Sequence, residues 1–172
     1  MNRAIKSNKD KRHIVLLYEN EEAKYDYLVQ YFKEGLSLNM LCILVTPYSQ
    51  DNVITYFKDH GLDLVKAIKS KQFRIFDMSE TYLPNGAFSS KYMISNVKTF
   101  IKSAKTDGYN GIYTAGEMLW LFDKPEQSPL VDEYEQQVTD LQKSQPLAKA
   151  LCLYPTGISS FIENCALLAH PA

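Results

Sequence analysis

Apolar residues gather in five short runs along the chain, and stretches of helix length separate them. The runs are Ile14–Tyr18, Leu41–Val45, Phe73–Asp77, Ile112–Ala115 and Ala150–Tyr154. The first, second and last are nearly continuous in apolar character, as strands buried on both faces must be. Between the runs, apolar positions recur at helical spacing. Tyr25, Leu28, Phe32 and Leu36 mark a first helix, and Val53, Ile54 and Phe57 a second. Met93, Val97, Phe100, Ile101 and Ala104 mark a third, and Leu130, Tyr134, Val138 and Leu141 a fourth. Ile162, Cys165 and Leu168 mark a last one. Asn20 is placed to cap the first helix, with Glu21 and Glu22 in its first turn. Gly61 is placed to end the second helix, Pro129 to open the fourth, and Ser159 to cap the last. Ser79–Ser89, which holds Pro84, Asn85 and Gly86, reads as a loop, as does Asp123–Ser128 with Pro125.

Strict alternation of strand and helix predicts an α/β fold. The expected form is a three-layer sandwich, with a mainly parallel sheet of about five strands and helices on both faces. Residues 1–12, with Arg3, Lys6, Lys9, Lys11 and Arg12, read as a basic flexible arm, and residues 13–172 as one domain. In open sheets of this kind ligands bind outside the carboxyl ends of the strands. Those ends carry Tyr18 and Glu19, Thr46 and Tyr48, Asp77–Tyr82, Gly116–Trp120 and Tyr154–Gly157.

Composition narrows the function. A net charge of −1 supplies no field to recruit nucleic acid or an anionic membrane. Cys42, Cys152 and Cys165 are three in number and show no C-x-x-C spacing, which argues against a disulfide framework or structural zinc. The polar N-terminus and the lack of a long apolar run predict neither a secretory signal nor a membrane span, hence a cytoplasmic protein. His13, His60 and His170 are not spaced as a metal triad, so no metal is expected, and no cofactor. No histidine falls at a strand carboxyl end, so Cys152 is expected to lack the base that a nucleophile needs.

The segment Gly108–Trp120 carries most of the functional signal. A phosphate-binding loop would lie between the first strand and first helix and would need glycines, a lysine and a hydroxyl residue. Tyr18-Glu19-Asn20-Glu21-Glu22 stands there instead, and its three carboxylates oppose a triphosphate. NTPase activity is therefore not expected. Glu117 follows the fourth strand beside Gly116. It is either a ligand contact or a buried structural acceptor, since a buried carboxylate needs partners in both cases. Trp120 is placed to form a pocket wall, with Met118 beside it. Tyr82 belongs to the loop after the third strand, which is placed as a lid. The candidate ligand-binding set is Tyr18, Glu19, Tyr48, Tyr82, Glu117, Met118, Trp120 and Tyr154, with no catalytic residue assigned.

Several segments together resemble the MEDS family, the methanogen/methylotroph DcmR-like sensory domain. They are His13–Glu19, Gly108-Tyr109-Asn110-Gly111, Gly116-Glu117-Met118-Leu119-Trp120, Glu133-Tyr134-Glu135, Leu151-Cys152-Leu153-Tyr154 and His170-Pro171. The Gly-Glu-Met-x-Trp piece is the most specific of these. The resemblance implies a RecA/KaiC-like fold without the phosphate loop, and a sensory role for Glu117, Met118 and Trp120. It implies a small-molecule ligand of the one-carbon or hydrocarbon-derivative kind, in prokaryotic signalling or transcription control. With no fused output domain evident, the signal would pass to a protein partner such as a kinase or regulator, or through a homodimer. Two rivals stay open. One is a degenerate ATPase-like scaffold for protein–protein interaction or oligomerisation, and the other is an enzyme using Glu117 as a base.

Overall fold

The structure, a computed structural model, describes residues 12–157. The expected basic arm, apart from Arg12, and the expected last helix with Cys165 lie outside the described residues. Five strands form one sheet: β1 (His13–Tyr18), β2 (Leu41–Thr46), β3 (Phe73–Asp77), β4 (Ile112–Glu117) and β5 (Ala148–Pro155). Their order is β1-β5-β4-β2-β3, and every pairing is parallel. All carboxyl ends therefore share one edge. The helices are α1 (Glu21–Ser37), α2 (Gln50–Asp59), α3 (Val65–Lys69), α4 (Met78–Tyr82), α5 (Ser90–Thr106), α6 (Trp120–Asp123) and α7 (Pro129–Ser144).

The topology explains the layers. Right-handed crossovers that advance from β1 to β2 and then to β3 put α1–α3 on one face of the sheet. Crossovers that return from β3 to β4 and then to β5 put α4–α7 on the other. The core on the α1 side joins Tyr25, Leu28, Val29 and Phe32 of α1 to Leu16, Cys42, Leu44, Ala115 and Leu153 of the sheet. The core on the α7 side joins Met93, Trp120, Val131, Tyr134 and Val138 to Val15, Ile43, Val45, Ile112, Cys152 and Tyr154. The two sets alternate along each strand, as the period of two requires. Each fully buried large apolar side chain contributes about 1.5–3 kcal/mol, so both faces are needed to hold the sheet.

The expected strands and the four long helices are present, and three details differ. The Ser79–Ser89 segment is not wholly a loop. Asp77 accepts a hydrogen bond from the Glu80 amide at 2.9 Å, and this cap starts α4 directly at the end of β3. A 3-10 turn over Pro84–Gly86 follows. The one-turn helices α3 and α6 are too short to show periodicity. The Asn20 cap is as expected, accepting from the Ala23 amide at 2.9 Å. No helix among the described residues is long and apolar enough to cross a membrane.

Candidate functional site

At the carboxyl edge, three strand ends meet the first turn of α1. Tyr18 closes β1, Thr46 closes β2 and Glu117 closes β4. Lys24 projects from α1 into the space between them and is wholly buried. Its Nζ donates to Glu117 Oε2 at 2.9 Å and lies 2.6 Å from Glu21 Oε2. Thr46 Oγ1 donates to the other carboxylate oxygen, Oε1, at 2.7 Å. Three rings surround the ammonium, with the centroids of Tyr18, Tyr25 and Tyr48 at 5.2, 5.0 and 5.0 Å. Tyr56 and His60 extend the aromatic wall, 5.0 and 5.7 Å from the Tyr25 ring.

The electrostatics follow from burial. Loss of water raises the Glu117 pKa above its ordinary value, although Lys24 and the Thr46 hydrogen bond pull the other way. Burial, reinforced by Glu117, pushes the Tyr18 and Tyr25 phenols far up, so both stay protonated. Tyr48 is pushed up to about 12 by burial, reinforced by the carboxylates of Glu21 and Glu117. The hydroxyls of Tyr18 and Tyr25 are buried and have no hydrogen-bond partner among the described residues. An unmet buried polar group costs about 1–3 kcal/mol. Both charges of the pair are engaged, and these two phenols are the hydroxyls of the centre left without a partner among the described residues.

Of the candidate residues, Tyr18, Tyr48 and Glu117 come together in this centre. Glu19 is exposed beside it. Tyr82, Met118 and Trp120 lie in the opposite core, on the α7 side of the sheet. There the Trp120 ring stacks on Phe88 at 4.9 Å and on Tyr82 at 6.0 Å, with the edge of Tyr134 against Phe88 and Tyr82. Glu117 and Trp120 thus sit on opposite faces of one sheet edge. Tyr154 is buried under α7, where its hydroxyl donates to Glu135 Oε1.

A base does lie beside Cys152, contrary to the expectation from strand ends. His13 Nε2 is 3.5 Å from Cys152 Sγ and 2.9 Å from Glu135 Oε2. His13 pairs in register with Ala150, so Cys152 is the next residue on the same face of β5. Strand-end position was the wrong criterion, because side chains also meet along the face of a sheet. Sequence reasoning missed Lys24 and Glu135, and both carried a signal. Lys24 shares a helical stripe with Leu28, Tyr31 and Gly35, and Glu135 shares one with Val131, Val138 and Gln142. A charged residue on a buried stripe is an anomaly that requires a partner.

Gly116 separates the two cores. A Cβ built there would collide with the Tyr82 hydroxyl and lie 3.1 Å from Tyr82 Cζ. The glycine thus lets Tyr82 pack flat on β4. Gly116→Ala is expected to destabilise the fold by about 1–3 kcal/mol, the usual range for overpacking. Adding Tyr82→Phe should recover part of that loss in urea unfolding. If the two changes simply add, the hydroxyl clash is not the cause.

A comparison with curated proteins gave no significant match. The family model described as MEDS, the MEthanogen/methylotroph, DcmR Sensory domain, matches residues 12–171. That span includes every element described above, and the chain belongs to the MEDS family of sensory domains.

Proposed function

We propose that the chain is a non-catalytic, cytoplasmic sensory domain that binds a small molecule at the Lys24–Glu117 centre. The observation that carries this reading is the pair of buried hydroxyls of Tyr18 and Tyr25, without a hydrogen-bond partner among the described residues, beside a buried ion pair. Two neutral phenols and several aromatic rings suit a compact apolar body with one hydrogen-bonding group. A one-carbon or small hydrocarbon derivative has that form. Asn20 already caps α1 and Glu21 is turned onto Lys24, which supports a site without nucleotide chemistry. Output would pass to a kinase or regulator, or to a second copy of the chain.

The test is native mass spectrometry of the chain purified from its own host, followed by thermal shift with one-carbon alcohols, amines and halides and with small aromatic hydrocarbons. A ligand at one hundred times its Kd adds about 2.7 kcal/mol of stability. The expected result is a retained mass or a shift that Tyr18→Phe with Tyr25→Phe abolishes while the fold persists. Absence of both would favour the scaffold reading, in which the domain binds only proteins.

A further inference from the structure

A second polar cluster lies under α7, apart from the Lys24–Glu117 centre. His13 opens β1, Cys152 and Tyr154 lie on β5, and Glu135 and Thr139 lie on α7. All five are buried. Their hydrogen bonds fix the imidazole. Thr139 Oγ1 donates to the backbone oxygen of Glu135 at 3.0 Å, so toward His13 Nδ1, 2.9 Å away, it can only accept. Without a metal, the 2.9 Å contact of Nε2 with the Glu135 carboxylate needs a proton between the two; a metal bound at Nε2 would displace that proton and leave the ring proton on Nδ1, facing Thr139. A histidine held by an outer partner on one nitrogen, with the other presented beside a thiol and a carboxylate, is the usual arrangement of a metal ligand.

We propose that His13 Nε2, the Glu135 carboxylate and Cys152 Sγ form a site for one divalent transition-metal ion of the zinc type. Three ligand atoms, one from each residue, lie within 4.8 Å of one another. Bonds of about 2.0–2.3 Å in a tetrahedron put ligand atoms roughly 3.3–3.7 Å apart. The Nε2–Sγ separation of 3.5 Å already meets that spacing. The Nε2–Oε2 separation of 2.9 Å needs to open by only a few tenths of an ångström. Mixed nitrogen, oxygen and sulfur donors suit zinc or cobalt, whereas magnesium and calcium take oxygen alone.

Charge favours the same assignment. A divalent ion, a thiolate, a carboxylate and a neutral imidazole sum to zero, and a neutral set is what a buried site tolerates. Tyr154, donating to the second carboxylate oxygen, orients Glu135 as Thr139 orients His13. A cavity of about 30 Å³ touches Cys152 and is lined also by Gly116, Tyr82 and Tyr134. Neither His13 nor Glu135 lines it, so the fourth position that a three-ligand site keeps open is not assigned to this cavity.

The test uses the whole chain without a histidine tag, reduced, stripped with EDTA and titrated with cobalt(II). The expected result is one cobalt per chain, with a near-ultraviolet thiolate-to-cobalt band and visible bands of tetrahedral type, both erased by zinc. Cys152→Ser should abolish the thiolate band and weaken binding beyond the roughly 10–100-fold effect of an outer-shell change. Thr139→Val should weaken binding within that 10–100-fold range. Cys42→Ser and Cys165→Ser should leave the band intact. If Cys152→Ser fails to fold, X-ray absorption of the zinc-loaded natural chain decides, because the site requires one sulfur among nitrogen and oxygen neighbours. Lack of a band in excess cobalt, a band that survives Cys152→Ser, or a zinc shell without sulfur would each overturn the proposal.

Discussion

Lys24→Met should destabilise the fold by about 3–5 kcal/mol at neutral pH, the range for removing one partner of a buried ion pair. The ammonium is the cation paired with Glu117 in the structure, and both side chains are fully buried. Glu117→Gln should cost less, about 1–3 kcal/mol. The asymmetry has a structural cause. Without Glu117, Lys24 still holds the half-exposed carboxylate of Glu21 at 2.6 Å. Without Lys24, Glu117 keeps only the Thr46 hydroxyl among the described residues. The double variant should fall short of the sum of the single losses by about 0.5–3 kcal/mol, as touching residues do. Urea unfolding of the four proteins completes the cycle. A loss below about 1 kcal/mol for Lys24→Met would mean that the pair is solvated like a surface bridge.

The pH dependence of that variant follows from the sign of the Glu117 shift. Burial raises the Glu117 pKa above 4.5, and Lys24 is the largest influence that lowers it. Removing Lys24 raises it further. A carboxyl whose folded pKa is raised gives stability that is complete below its unfolded pKa and is lost as pH rises through the folded value. The deficit of Lys24→Met relative to the natural chain should therefore grow as pH rises above 4.5 and shrink as pH falls toward it. A deficit that grows in acid would place the destabilisation elsewhere.

The fold was legible because its signals are local. Five apolar runs, the Asn20 cap and Pro129 at the start of α7 each declare themselves within a few residues. The carboxyl edge was legible for the same reason, since strand ends are enough to place Tyr18, Thr46 and Glu117. What surrounds Glu117 was not, because Lys24 is separated from it by β2, β3 and the intervening helices. The buried lysine had a local trace in its place on the α1 stripe. The pairing of His13 with Cys152 had none, because it depends on β1 lying beside β5 and strand order is not written in periodicity. Likewise the Gly-Glu-Met-x-Trp segment reads as one motif, yet the pleat sends Glu117 to one core while Gly116 faces the other. The chain then turns Trp120 into that second core.

Trp120 yields the other large effect. Its ring is 1% exposed and packed against Phe88 and Tyr82, which also touch each other. Trp120→Ala should cost about 3–5 kcal/mol, as large-to-small changes of buried aromatics do. The cavity would be walled by Phe88, Tyr82 and Tyr134, and apolar cavities of that kind stay dry and admit small aromatics. Added indole should therefore restore part of the lost melting temperature, and more than it does for the natural chain. Trp120→Phe separates packing from hydrogen bonding. Trp120 Nε1 is buried with no partner among the described residues, so phenylalanine forfeits volume but removes an unmet donor. Its loss should be well below that of alanine. If Trp120→Ala costs under about 1 kcal/mol, then the ring does not hold the α7 core together. Trp120 would then be free to serve as the wall of a ligand pocket, and the recognition site would have to include this face as well as the Lys24 centre.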